Sequence, residues 1–456
     1  MLTIKRVATV VSNYQEEGGE KDNAAVAVEG EAKGCGRNCL GKCCLPASDL
    51  PLYTFKVAGE DCAEESIFYQ KPPETSFLLN LLLGQWENRM NRGLFRYDVT
   101  TCKTKIIPGG YSFIVQLNEG RHLKKRPTEF RVDQVLQDFD EKKFNFTKVG
   151  QEEVLFMFEQ SDDCYSHFFP SAPAIFKPTS PNVVAINVVK LLQVSPIEYG
   201  HVLLIARVLD CLPQRIDHMS FFLALSLAKE AADRFSRMGY NSLGTFATIN
   251  HLHFQAYYLA SPFPVEKVPT LRVMTSTSMQ RYAVVVSQLL KFPVRSLVFE
   301  GGDTLWDLSS AVANSCILLQ HNNIPFNILI ADCGKRVFLF PQCYAEKQAR
   351  GEVSQELLET QVNPAVWEIG GHIVLKRRED FEKASRTVST RLIVEVSLSE
   401  ESCREVKAQI SEAAGLHEID TEAHNLHQSE EVVSTSSDAT ATSHLHQDCL
   451  VVKGKA

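Results

Sequence analysis

The sequence predicts an α+β fold built on a largely antiparallel sheet. Three observations lead there. Strand patterns and helical patterns are mixed along the chain, and many of the connections between strands are hairpin-like. A short internal echo adds a third: Glu198-Tyr199-Gly200-His201-Val202-Leu203-Leu204 resembles Glu368-Ile369-Gly370-Gly371-His372-Ile373-Val374-Leu375, as in a duplicated fold that keeps one working site.

Residues 1–50 contain the charged, glycine-bearing run Glu16-Glu17-Gly18-Gly19-Glu20-Lys21-Asp22 and are expected to be weakly structured. Phe77 to Met90 predicts a helix, because Phe77, Leu78, Leu81, Leu82 and Trp86 recur at helical spacing. Strands are expected at 93–99 and, after the turn signal Pro108-Gly109-Gly110, at 111–117. Val183 to Val189 reads as a buried strand and His201 to Ala206 as another. Asp217 can cap a helix carrying Met219, Phe222, Leu223, Leu227, Ala231 and Phe235, with Gly239 as its stop. Gly244 to Asn250 is rich in β-favouring residues and leads a strand into His251-Leu252-His253-Phe254-Gln255. Later strands are expected at 295–299, 326–330, 337–340, 372–375 and 392–396. The expected organisation is a weakly structured segment 1–50, a catalytic half 51–290, a second, non-catalytic half 291–410 packed on the first, and a disordered acidic tail 411–456.

The chain has 456 residues, 44% hydrophobic and 22% charged, ordinary values for a soluble globular protein. The net charge of −8 gives no sign of nucleic-acid binding, and the tail from Ser411 to Ala456, with eight acidic and two basic residues, carries most of it. No segment reaches the ~18 consecutive apolar residues of a membrane span. Met1 to Asn13 lacks the apolar core of a signal peptide. Several of the 13 cysteines, such as Cys211, Cys316 and Cys333, sit in apolar runs, where a thiol behaves as a small hydrophobe. Free thiols in a reducing compartment are expected, in the cytoplasm and, as a second location, the nucleus. Cys35, Cys39, Cys43 and Cys44 are clustered, but their spacing matches no common zinc pattern.

Side chains on a strand alternate between faces. His251, His253, Gln255 and Tyr257 therefore share one face, and Leu252, Phe254, Ala256 and Tyr258 the other. Two imidazoles and an amide on an apolar backing could grip and attack a phosphate. The spacing also admits a structural role or a metal site, although Gln is a poor zinc partner and no Cys or acidic residue lies close by to complete a set. The basic run Arg121-His122-Leu123-Lys124-Lys125-Arg126 could draw in a diphosphate or phosphate, with a solvated surface stretch as the alternative. His201 and His372 stand at strand starts, where a structural role is the plainer expectation.

The order Gly200-His201 and an apolar strand, a helix, then Asn241, Gly244 and His-x-His resembles the histidine-triad superfamily. Gln255 stands where the superfamily's ordinary hydrolases carry a third His, as in the galactose-1-phosphate uridylyltransferase-like branch. Ser195 to His201, Val208 to Arg215, Asn250 to Tyr258 and Leu297 to Gly302 are similar to the plant GDP-L-galactose phosphorylases, over about residues 52–410. The chain departs from that pattern in the extra residues Val189 to Val194 and in Ala206, where the family tends to have Pro. The resemblance implies a duplicated histidine-triad-like fold and the reaction of GDP-L-galactose with phosphate to L-galactose 1-phosphate and GDP, a step towards ascorbate. It implies His253 as the nucleophile that forms a guanylyl-histidine intermediate. Gln255 would donate to a phosphoryl oxygen, and His251 would orient the loop or bond the phosphate. Asn241 and Gly244, with Lys125 and Arg126, are the candidate substrate-binding residues. The expected ligands are a GDP-hexose and inorganic phosphate; no metal or other cofactor is required, and a homodimer is the expected quaternary state. A nucleotide-sugar hydrolase, a hexose-1-phosphate nucleotidylyltransferase and a catalytically impaired regulatory homologue are the alternatives.

Overall fold

The computed structural model describes residues 38–56, 76–95, 97–120, 131–162, 165–186, 196–276 and 282–419. In chain order the elements are β1 (Leu52–Lys56), α1 (Phe77–Asn91), β2 (Lys103–Ile106), β3 (Ile114–Leu117), β4 (Val154–Ser161), β5 (His167–Phe169), β6 (Val183–Ile186), β7 (Val202–Ile205), α2 (His218–Ala231), β8 (Ser236–Asn241), β9 (His253–Tyr258), β10 (Thr270–Ser276), β11 (Val284–Leu289) and β12 (Leu297–Gly301). They continue as α3 (Leu305–His321), β13 (Phe326–Ala331), β14 (Arg336–Pro341), α4 (Tyr344–Ala349), α5 (Gln355–Glu359), α6 (Val366–Gly370), β15 (His372–Leu375), α7 (Arg378–Lys383), α8 (Arg386–Val394), α9 (Glu400–Ala413) and β16 (Leu416–Glu418).

Thirteen strands form one sheet in the order β16-β10-β11-β12-β14-β13-β8-β9-β7-β6-β4-β1-β5. Every neighbouring pair in it is antiparallel except β1 with β4. The centre of this order is a repeat read in both directions. A hairpin (β6-β7), a crossover helix (α2) and a second hairpin (β8-β9) are followed later by the same set, β11-β12, α3 and β13-β14. In each set the fourth strand lies beside the second. The two sets meet through their third strands, with Asn241 of β8 opposite Asn327 of β13. The expected duplicated α+β fold with a largely antiparallel sheet is what the chain adopts.

The echo that suggested duplication marks something else. His201 leads into β7, whose counterpart in the second set is β12, whereas His372 opens β15 in a separate three-stranded sheet, β15-β3-β2. The echoed histidines instead flank Tyr257: its hydroxyl lies 2.7 Å from His372 Nδ1, and its ring centroid is 6.1 Å from that of His201.

Apolar residues fill both faces of the large sheet. One face packs Phe254, Val337 and Leu339 against Phe221, Val312 and other residues of the long helices. The other packs Tyr257, Phe338 and Phe340 against Trp367, Ile369 and Ile373 of α6 and β15. The alternation of one strand thus supplies both layers. Among the described residues no helix is long and apolar enough to cross a membrane.

Local structure departs from the sequence expectations at several places. Asp217 caps α2 in a reciprocal box with Ser220, as its position predicts, but the helix ends at Ala231, because Ala232 turns into a left-handed conformation (φ 45°). Residues 236–241, across the expected helix stop at Gly239, are instead β8. Gly244 to Asn250, expected to be extended, instead begin in a turn, and the strand starts only at His253. Leu392 to Val396 looked like a strand, yet α8 covers Arg386–Val394, capped by the Ser385 hydroxyl, with Leu392 and Ile393 turned inward. The strand expected at 93–99 is not formed by its described residues: Gly93 lies in a turn, and Asp98 caps a short 3-10 helix, Val99–Thr101, its carboxylate accepting from the Thr100 N–H (2.8 Å). Residues 38–50, expected to be weakly structured, bury Leu40, Leu45 and Leu50. Residues 1–37, the tail beyond 419 and the extra Val189 to Val194 lie outside the described residues.

Candidate active site

β9 lies between β7 and β8, with Gln255 paired to Leu203 on one side and Gly239 on the other. His253 and Tyr257 are buried, and Gln255 is partly exposed on the same face. On the opposite face Phe254 is fully buried near Phe221 of α2 (centroids 6.5 Å apart). The strand is held from behind, and its polar row faces the α6 layer.

The backbone sets the protonation pattern of both histidines. His253 Nδ1 lies 2.8 Å from the His251 carbonyl oxygen. A carbonyl only accepts, so Nδ1 carries the proton and Nε2 keeps its lone pair. His251 is the reverse: its Nδ1 accepts from the Phe146 N–H at 3.1 Å, which puts the proton on Nε2. That Nε2–H is buried without a hydrogen-bond partner among the described residues. Burial pushes the His253 imidazole down to about 4, partly opposed by the bond to the His251 carbonyl. Burial, with a smaller contribution from His253, pushes His251 down to about 3. Both rings are therefore neutral near pH 7. Phe146 packs against both, at 5.3 and 5.1 Å.

Gln214, a buried residue that no pattern singles out, holds the strand entrance. Its Oε1 accepts from the His253 N–H (2.9 Å), and its Nε2 donates to the carbonyls of His253 (3.1 Å) and Asn241 (3.0 Å). The amide takes the place of backbone pairing where β8 and β9 part. Asn250 supports it, its Oδ1 accepting from the Gln214 N–H at 2.9 Å. Trp367 is a second residue the sequence did not single out. Its indole N–H donates to Gln255 Oε1 at 3.3 Å, which turns the Gln255 NH2 away from Trp367. Neither residue carried a signal in spacing, because each reaches β9 only through tertiary contact.

The other candidates divide. Asn241 is buried, and its side-chain oxygen accepts from Asn327 Nδ2 (2.6 Å) and from the Val366 N–H at the start of α6 (3.0 Å). That oxygen is used in joining β8 to the second repeat, so a bond to substrate would fall to Nδ2. Gly244 has φ +86°, and a Cβ there would meet the Val132 carbonyl oxygen at 2.8 Å, so the turn after β8 requires glycine. Gly239 is needed for another reason: a Cβ would meet Val366 at 2.7 Å and Trp367 at 3.0 Å, so glycine lets α6 approach the sheet. Lys125 and Arg126 lie outside the described residues.

A duplicated, largely antiparallel sheet with a backbone-fixed histidine on a central strand defines the structural class. Residues 77–257 match the family model of the GDPGP1-like N-terminal domain, and residues 264–417 match that of the GDPGP1-like C-terminal domain. The chain belongs to this family. It is 60% identical over 94% of its length, and 93% of the relative's, to GDP-L-galactose phosphorylase 1 of Arabidopsis thaliana. It is 29% identical to GDP-D-glucose phosphorylase 1 of Homo sapiens, over 72% of this chain and 82% of that one. Among solved structures, a yeast Ap4A phosphorylase aligns with a TM-score of 0.46 and 13% identity, covering 71% of this chain and 95% of the other.

Proposed function

We propose that this chain is a GDP-L-galactose phosphorylase that works through a guanylyl group carried on His253. The observation that carries the chemistry is the 2.8 Å contact from His253 Nδ1 to the His251 carbonyl, which leaves Nε2 as a fixed, unprotonated nucleophile. The choice of substrate is supported by the 60% identity to the Arabidopsis GDP-L-galactose phosphorylase, against 29% to the human GDP-D-glucose phosphorylase.

In the first step the Nε2 lone pair forms a bond to the α-phosphorus of GDP-L-galactose, and the bond from that phosphorus to the bridging oxygen breaks. L-galactose 1-phosphate leaves with the electron pair. The ring becomes cationic, and its Nδ1–H bond to a carbonyl stabilises that charge as it develops. The Gln255 NH2, turned by Trp367, donates to a non-bridging oxygen. In the second step an oxygen of inorganic phosphate attacks the same phosphorus, the N–P bond breaks and GDP departs. A sugar phosphate is a stable anion, so no acid is needed to protonate it. A neutral nucleophile with amide donors meets the electrostatic need, and we infer that the reaction requires no metal of its own.

Two displacements through one intermediate should give ping-pong kinetics. The test is to mix enzyme with GDP-L-galactose without phosphate, quench, and map peptides by mass spectrometry. The expected result is a GMP adduct on His253 that phosphate discharges as GDP. Turnover unaffected by phosphate would identify water as the acceptor and overturn the phosphorylase reading.

A further inference from the structure

The cysteine cluster left without a role by the sequence becomes a geometric site in the fold. Cys39, Cys43 and Cys44 place their sulfurs within 4.8 Å of one another. Cys39 and Cys43 Sγ are 3.5 Å apart, and Cys43 and Cys44 Sγ 3.7 Å. Sulfurs bound to one tetrahedral zinc at about 2.3 Å sit about 3.8 Å from each other, so the two shorter separations need little adjustment. The Gly41 N–H points at Cys39 Sγ from 3.4 Å, a contact that favours thiolate and orients a ligand. Cys39 is buried, Cys44 partly buried and Cys43 exposed.

We propose that Cys39, Cys43 and Cys44 supply three thiolates to a site for Zn2+. The site takes no part in the phosphoryl chemistry described above. Its loop is tied to the segment that holds the catalytic histidines. Leu40 N–H donates to the Val149 carbonyl (3.0 Å), Gln151 N–H to the Asn38 carbonyl (2.7 Å) and Gln151 Nε2 to the Cys39 carbonyl (3.1 Å). Val149 N–H donates in turn to the Phe146 carbonyl at 3.2 Å, and the Phe146 N–H meets His251. A metal here would brace the 145–151 segment against the amino-terminal loop.

The test uses the full chain, reduced and freed of metal. Zinc is titrated in, the thiols are alkylated without unfolding, and peptides are mapped by mass spectrometry. The expected result is one equivalent of zinc that protects Cys39, Cys43 and Cys44 together and raises the thermal midpoint. Cys43→Ser, at an exposed position, should fold normally and bind zinc at least ~10-fold more weakly. Unchanged alkylation of the three thiols at saturating zinc would overturn the proposal. So would full retention of the metal by Cys43→Ser or by the triple C39S/C43S/C44S variant, which would place it elsewhere, as on the histidines of the tail.

Discussion

The two repeats of the central sheet follow the same path and end differently. In the first, β8 and β9 are separated by residues 242–252, which turn at Gly244 and carry His251; in the second, β13 and β14 are joined across residues 332–335 alone. The polar row His253, Gln255 and Tyr257 on β9 corresponds in position to Arg336, Phe338 and Phe340 on the same face of β14, where the Arg336 guanidinium lies 5.0 Å from the Phe338 ring centroid. The tight hairpin carries no counterpart of the 242–252 loop, and phenylalanines give the face to packing. Yet the second repeat is part of the site. Asn327 of its third strand holds Asn241, and beyond the repeat α6 adds the Val366 N–H to Asn241 and the Trp367 indole to Gln255. On the proposed mechanism, one copy supplies the chemistry and the other helps to wall the site.

This division can be tested by substitution, beginning where the loss should be greatest. His253→Ala should lower kcat by at least ~10^3-fold, as removal of other nucleophiles does; a near-normal rate would leave the first repeat without its chemistry. Gln214→Ala should cost on the order of 10^2-fold in kcat, because it frees the strand end that aims His253. A change confined to KM would show that Gln214 does not position the nucleophile. Trp367→Phe keeps most of the packing but loses the bond to Gln255, and kcat should fall up to ~10-fold; an unchanged rate would make α6 a passive support.

Proton binding sharpens the same contrast. Because His253 is held down to about 4, the rate of guanylylation without phosphate should stay level well below the usual imidazole value of about 6.5. A half-maximum near 6.5 in stopped-flow would contradict the burial. For stability the sign is opposite to that of a salt-bridged histidine. Both rings bind protons more readily unfolded than folded, so their contribution is complete above about pH 6.5 and is lost as pH falls towards about 4 and 3. Urea melts across that range, with His251→Asn for comparison, measure it. The smallest effect on catalysis is expected in the second repeat: Phe338→Leu should cost about 1–2 kcal/mol of stability and leave kcat unchanged.

Much of this was legible in the chain. The face shared by His251, His253, Gln255 and Tyr257 follows from strand alternation, and the start of α2 from Asp217. The end of α2 was not, because Ala232 adopts a left-handed turn that nothing local demands. β8 was hidden with it: no stop signal precedes Gly239, and its residues become a strand only by pairing with β9 and β13. Leu392 and Ile393 misled in the other direction, since an apolar run suits a buried strand and a buried helix stripe alike.

The sequence by itself determined which atoms are present for the chemistry and which side of β9 they occupy, because a period of two is a property of the extended chain. Only the tertiary structure decided which nitrogen of each imidazole carries the proton, which way the Gln255 amide turns and how far burial lowers the histidines. Those depend on Phe146, Gln214, Trp367 and the His251 carbonyl arriving within about 3 Å of their targets, a distance at which hydrogen bonds discriminate donors from acceptors. All but the carbonyl are far from their partners in sequence, and no local pattern could have announced them.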